Sequence, residues 1–145
     1  MRVRGKMPST PGVPGVVKLL LPLAVLGVLG YDTFVTVATH LKAENDAQNA
    51  AYAASQFWFD NPSERTVQNA YDAAVQYEAA NNPADHVCEG TSDPLCGSRG
   101  TFSVDPDGTV HLVVRRVAST LVFKHFGFMK SLLVAYENGD AGQGN

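Results

Sequence analysis

The apolar pattern begins with one nearly uninterrupted stretch close to the N-terminus. Across residues 16–37 the only charged side chains are Lys18 and Asp32, one towards each end. A membrane-spanning helix needs about 20 mostly apolar residues, so the sequence predicts a transmembrane helix here, in which Pro22 is tolerated. Lys18 can extend its ammonium group to the interface. The residues that we assign to this anchor are Val16, Lys18, Leu19, Pro22, Leu26, Tyr31 and Asp32.

The charges beside this helix predict its direction. Arg2, Arg4 and Lys6 precede the apolar stretch, and no acidic residue occurs before Asp32. The positive-inside rule then places the N-terminus in the cytoplasm and the rest of the chain outside, as a single-pass protein of the bacterial cytoplasmic membrane. A cleaved secretory signal ending at Gly30 would export the same residues. We favour the uncleaved anchor because the apolar pattern continues past Gly30.

Beyond the predicted span, apolar residues keep a helical spacing over residues 38–59. They recur at steps of three and four, with polar residues on the other face, which predicts that the membrane helix continues outward as one rod. The stripe is mostly alanine, which permits close approach of another helix. It can pack on the chain's own domain or on a partner. This candidate helix-packing interface comprises Ala47, Ala50, Ala51, Ala54, Phe57 and Trp58.

A second helix is predicted over residues 62–81. Asn61 is a suitable N-cap and Pro62 suits the first helical position. Apolar residues between Val67 and Ala79 then mark one helical face, before the Asn-Asn-Pro sequence that ends it.

In the last third of the chain the apolar period changes to two. Strands at 101–104 and 109–115 flank the turn sequence Asp105–Gly108, in which proline restricts one φ angle and glycine accepts a positive one. The apolar segment 129–136 predicts a third strand. We therefore predict an α+β fold, in which a long transmembrane helix continues into a small ectodomain with a second helix and a three-stranded antiparallel sheet. The predicted parts are a disordered basic cytoplasmic tail (1–15), the ectodomain (38–137) with its loop (85–100) and sheet (101–137), and a disordered tail (138–145).

The overall charge is close to balanced, with 11 Lys and Arg against 14 Asp and Glu in 145 residues. Four of the cations stand at or before Lys18, so the remainder of the chain is net acidic. An acidic ectodomain lacks the basic surface that nucleic-acid binding requires. We expect no nucleic-acid partner.

Two cysteines, Cys88 and Cys96, lie in the same predicted exported loop. An even number of cysteines outside the cytoplasm favours a disulfide. A metal site that adds His86 and Asp93 is the alternative, but it lacks the paired C-x-x-C spacing of structural zinc sites. We predict the disulfide and no metal.

Candidate catalytic residues are sparse. The histidines (His40, His86, His111 and His125) are scattered over different predicted elements, and none adjoins a nucleophile motif. The sequence also contains no phosphate-binding glycine loop, metalloprotease motif or dinucleotide fingerprint. We therefore expect no enzyme activity, no cofactor and no small-molecule substrate.

Two segments of the N-terminal half resemble TadE/TadG-like proteins, the minor pilin-like components of bacterial Tad (Flp-type) pilus assembly systems. The first is Leu21–Leu23 followed by Tyr31-Asp32, and the second is Asp46–Ala54, which reads Asp-Ala-Gln-Asn-Ala-Ala-Tyr-Ala-Ala. In the C-terminal half, Val104–Arg116 and Thr120–Gly127 are similar to the alternating strand and following segment of the same group. The resemblance implies a pilin-like fold, in which a long helix leads into a small domain.

One departure from that group concerns processing. Processed pilin-like proteins have a glycine cleavage site and then a glutamate a few residues into the apolar segment. Here Gly12 and Gly15 precede that segment, but the first glutamate is Glu44. The resemblance therefore favours a membrane-anchored assembly factor over a cleaved pilus subunit. Its expected partners are the membrane and other pilin-like or secretion-apparatus proteins. A small secreted binding domain, released after Gly30, is the alternative.

Overall fold

Helix α1 (Gly15–Asp60) is the longest element of the structure, a computed structural model that describes residues 15–142. Its 46 residues give a length of about 69 Å at 1.5 Å per residue. The prediction of one long N-terminal apolar helix is confirmed, and Pro22 lies inside it without ending it. The predicted tails at 1–14 and 143–145 lie outside the described residues.

Helix α2 (Val67–Asn81) packs beside α1 and begins later than the predicted residue 62. Thr66 is its N-cap, and the Thr66 hydroxyl accepts a hydrogen bond from the N–H of Asn69 at 3.1 Å. Pro62–Glu64 form a separate 3₁₀ turn. The side chain of Asn61 does not cap this turn, because its amide instead donates to the carbonyl oxygen of Phe57.

The sheet has four antiparallel strands, where the sequence predicted three. They are β1 (His86–Val87), β2 (Phe102–Val104), β3 (Val110–Val117) and β4 (Val134–Ala141). Strand β3 is central and pairs along its whole length with β4. Strands β2 and β1 share its other edge, against its first and second halves respectively. The prediction missed β1 because two residues are too few to show a periodic pattern.

Strand β4 lies further along the chain than predicted. Residues 129–133, assigned to a strand by their apolar character, form turns, and the strand continues through the polar sequence Glu137–Asp140 to Ala141. Pairing with β3 explains this difference, because the ladder satisfies backbone groups whatever the side chains are. The predicted terminal tail is therefore wrong for residues 138–141.

The two faces of β3 belong to two different clusters. Val110, Leu112 and Val114 pack on buried alanines of α1 and α2, in the main core. Val113 faces the opposite side, where it meets the disulfide and Tyr136. The sheet therefore lies between the helices and the disulfide loop, in agreement with the period of two in the sequence.

Candidate functional site

Most of residues 15–37, which we call the inner half of α1, are exposed, and within this range only Asp32 is buried. The exposed fractions of Val16, Leu21 and Leu26 are 67%, 67% and 65%. The helix is long and apolar enough to cross a membrane: its most apolar window of 18 residues has a mean hydropathy of 1.8, and only 6% of that window is buried. Of the predicted anchor residues, six lie on this exposed surface and Asp32 does not: the six are Val16, Lys18, Leu19, Pro22, Leu26 and Tyr31.

Asp32 is fully buried, and its carboxylate is held by backbone from the far end of the chain. One oxygen accepts the N–H of Leu121 at 2.7 Å. The other accepts the N–H groups of Val122 at 2.7 Å and Phe123 at 2.8 Å. A carboxylate with three N–H donors is fully satisfied away from water. The sequence places Asp32 at the end of the predicted anchor but does not reveal this partner.

The partner segment is Ala118–Leu133, which we call the junction loop. Its ends meet through a hydrogen bond of 2.7 Å from the Ala118 N–H to the Leu133 carbonyl. Two apolar hollows separate it from α1. The first, of about 310 Å³, lies between Val122 and residues 21–29. The second, of about 470 Å³, lies between α1 residues 33–41 and the loop side chains Phe123, Met129 and Leu132. The junction loop thus runs back along the helix from the sheet towards the exposed half.

The outer half of α1 forms a seam with the chain's own domain. Ala47, Ala50, Ala51 and Ala54 have no exposed surface, and all four belong to the main core. Gly139 of β4 lies against the backbone of Ala47, so closely that a Cβ atom there would overlap the Ala47 carbonyl. Of the two interpretations of the alanine stripe, the structure shows packing on the chain's own domain. Phe57 and Trp58, assigned to the same candidate interface, are half-buried at its end.

A buried charge cluster joins this seam to the sheet. Arg116 donates from Nη1 to Asp46 at 2.7 Å and to Asp85 at 3.1 Å. Glu78 of α2 is 2% exposed, and neither of its carboxylate oxygens has a hydrogen-bond partner within residues 15–142. Burial, and then the negative charges of Asp85 and Asp46, raise the pKa of Glu78 to about 7. Burial likewise raises the pKa of Asp85. The sequence did not reveal this cluster, because its members come from four separate segments.

The predicted disulfide between Cys88 and Cys96 is present, with the two Cα atoms 6.0 Å apart. It holds the loop against Val113 on the outer face of the sheet. At the loop's base, His86 Nε2 lies 2.7 Å from the Asp93 carboxylate. Burial alone would raise the pKa of Asp93, but hydrogen bonds from His86, Leu95 and Glu89 keep it below its usual value.

The same loop contains the one group of potential metal ligands found within residues 15–142, namely His86, Asp93 and Cys96. A cysteine binds metal as a thiolate, and the Cys96 sulfur is bonded to Cys88. Asp93 is already committed to His86 and to two backbone N–H groups. This arrangement supports the loop rather than a metal centre.

Two of the three remaining histidines form carboxylate pairs at the sheet edge, and His125 lies exposed in the junction loop. His40 Nδ1 lies 2.9 Å from Glu137, and His111 Nδ1 lies 2.6 Å from Asp140. The Asp140 hydrogen bond is the largest cause of a raised pKa at His111. Within the described chain no histidine is hydrogen-bonded to a serine, threonine or cysteine side chain, the arrangement that would activate a nucleophile.

Comparisons with known proteins return no match: no family model, no curated protein and no solved structure matches this chain. The features that bear on function are consequently those of the chain itself. They are the exposed apolar inner half of α1, the buried alanine seam, and the carboxylate contact of Asp32 that joins the helix to the junction loop.

Proposed function

We propose that this protein is a single-pass membrane-anchored structural component of a Tad (Flp-type) pilus or a related secretion apparatus, with no enzymatic role. One observation carries the proposal. A single continuous helix exposes most of its apolar inner half and packs one face of its outer half on the chain's own domain. Such a helix presents a rigid domain at a fixed height above a membrane.

The division of α1 also indicates how the protein contacts partners. The alanine seam is occupied by the chain's own α2 and sheet, so it offers no surface to a second protein. The inner half, with exposed Leu21 and Leu26, is the surface on which other apolar helices can dock within the bilayer. Ectodomain contacts outside the membrane complete the proposed assembly role. The resemblance to TadE/TadG-like proteins supports this type of apparatus.

In vivo photo-crosslinking tests the proposal in the native host. A photoreactive residue in place of Leu26, on the full chain, is expected to form adducts with pilin-like or secretion-apparatus proteins, identified by mass spectrometry. A matched probe in place of Gln76, on the exposed face of α2, controls for non-specific reaction with abundant proteins. The assembly role is overturned if Leu26 yields the same adducts as Gln76 and no apparatus protein.

The mass of the mature chain tests the anchor separately. An anchored protein is expected to retain residues 16–37 in the membrane fraction. A mature chain that starts at Tyr31 in the soluble fraction would instead establish the secreted binding domain, and would exclude a role for the inner half-helix.

A further inference from the structure

The junction loop exposes large apolar side chains that no described residue covers. Phe128 is 78% exposed, Leu121 55%, Leu132 53% and Phe126 45%. Scattered exposed apolar side chains are normal on a soluble surface, but a concentration within one short loop marks an interaction site. The loop's formal charges are those of Lys124 and Lys130, with no acidic residue between 118 and 133.

The loop is attached to α1 at the depth of a membrane. Asp32, which holds the loop, stands 14 residues after Lys18 in the sequence, a rise of about 21 Å at 1.5 Å per residue. A hydrocarbon layer of about 30 Å that starts at Lys18 extends roughly six residues beyond Asp32. Val122 lies still deeper, across a small apolar hollow that Val25 and Leu29 also line. The exposed apolar surface of the loop therefore continues the exposed apolar surface of the helix.

The backbone of residues 121–126, the part of the loop closest to the helix, is also suited to an environment without water. Every N–H from Leu121 to Phe126 has an acceptor within the chain. Asp32 accepts the first three and the Thr120 hydroxyl accepts that of Lys124, while the carbonyls of Val122 and Phe123 accept the last two. Irregular backbone is costly at bilayer depth only where its polar groups lack partners. The carboxylate of Asp32 removes that cost at the point closest to the helix.

We propose that the junction loop inserts into the outer leaflet of the membrane and that lipid covers its exposed apolar side chains. Phe126, Phe128 and Leu121 lie at the boundary between headgroups and acyl chains, and Lys124 and Lys130 face lipid phosphates. This inference rests on the proposed anchor, since only a helix in the membrane brings the loop to that depth. The protein is then held at two points, which orient the ectodomain as well as tether it.

Depth-dependent fluorescence quenching tests the insertion. The full chain, with its native disulfide intact, is labelled with an environment-sensitive dye at a single added cysteine. It is reconstituted into phosphatidylcholine vesicles that contain about 30% phosphatidylglycerol, an anionic lipid. Phe128→Cys reports on the loop, Leu21→Cys on the span and Gln76→Cys on the exposed face of α2. Lipids with spin labels near the headgroup are expected to quench Phe128→Cys several-fold more than Gln76→Cys. Labels near the bilayer centre are expected to quench Leu21→Cys.

The outcomes separate the two proposals. If Leu21→Cys is quenched but Phe128→Cys is no more quenched than Gln76→Cys, the loop insertion is wrong and the anchor stands. If Leu21→Cys is not quenched, the anchor itself is wrong. Dilution to one chain per vesicle distinguishes lipid from protein as the occupant. Quenching of Phe128→Cys that persists on dilution supports lipid. If the dye at Phe128→Cys reports apolar surroundings only before dilution, another copy of the chain covers the loop.

Discussion

The two halves of helix α1 differ in the size and exposure of their apolar residues. In the outer half the residues that face the domain are alanines with no exposed surface, such as Ala47 and Ala50. In the inner half the residues are leucines and valines that remain exposed, such as Leu20 and Leu21. Small side chains let the backbones of the helix and sheet approach closely, while large apolar side chains that the domain leaves uncovered are favourable only in contact with lipid or other helices. The size of the apolar residue, and not its hydrophobicity alone, distinguishes the half that packs on its own domain.

The largest effect is expected where this close approach is blocked. Gly139→Val places a side chain against the Ala47 carbonyl, and neither backbone can move without breaking its helix or ladder. We expect a loss of about 4 kcal/mol in the free energy of unfolding. Denaturant unfolding of the full chain in detergent, followed by the fluorescence of Trp58, measures it. Gly127→Val is the matched control, because nothing lies within 4 Å of a Cβ atom there. Equal loss in both variants would contradict the close-packed seam.

The boundary between the two halves is tested by Asp32. Asp32→Ala leaves the buried N–H groups of Leu121, Val122 and Phe123 without acceptors. At about 1 kcal/mol or more for each orphaned donor, we expect a loss of about 3 kcal/mol. Hydrogen exchange at these three amides is expected to become faster. Thr33→Ala is the control, since the Thr33 hydroxyl bonds only to its own helix at Leu29. Unchanged amide protection in Asp32→Ala would contradict the junction.

The buried charge cluster beside the seam is tested at Glu78, whose carboxylate has no hydrogen-bond partner within residues 15–142. The pKa of Glu78 is raised to about 7 in the folded protein from its ordinary value of 4.5. The folded state therefore binds the proton more tightly, and the free energy of unfolding falls as pH rises from about 4.5 to about 7. Glu78→Gln is expected to flatten this dependence and to stabilise the protein by about 2 kcal/mol at pH 8.

Unfolding midpoints of Glu78→Gln and of the unchanged protein, measured from pH 4 to pH 8, test both expectations. Glu44→Gln, on the exposed face of α1, is the matched control and is expected to leave the pH dependence as it is. Destabilisation of Glu78→Gln at pH 8 would show that the ionised carboxylate has a favourable partner.

The smallest effect on the domain is expected from the inner half. Replacing Leu20, Leu21 and Leu23 together with alanine removes large apolar side chains that contact no part of the ectodomain core. Alanine is also a good helix former. We expect the free energy of unfolding, followed by the fluorescence of Trp58 in detergent, to change by less than about 0.5 kcal/mol. A loss above about 1 kcal/mol would mean that the two halves of α1 are not energetically separate.

Features that repeat along the chain could be predicted from the sequence. The apolar run of α1, the alternation through Val110, Leu112 and Val114, and the pair Cys88 and Cys96 each have a local signal, and each appears in the structure. The sequence also raised packing of the alanine stripe on the chain's own domain as one of two possibilities.

Features that depend on contacts between distant segments could not be predicted. Asp32 meets Val122 across a separation of 90 residues, and no local pattern marks either as a partner. The same holds for Arg116, which lies 70 residues from Asp46. Strand β4 was misplaced because backbone pairing, and not apolar side chains, determines where it begins and ends.

The contact between Asp32 and the junction loop also has a consequence for the order of biogenesis. In the proposed orientation, Asp32 enters the bilayer while the ribosome is still synthesising the rest of the chain, and its acceptor oxygens find their donors only when Leu121–Phe123 have crossed. The carboxylate therefore lacks these three donors through the export of nearly the whole ectodomain. Any chain that stops before residue 121 retains an unsatisfied acid in its anchor, so the contact is completed only with a nearly full-length ectodomain.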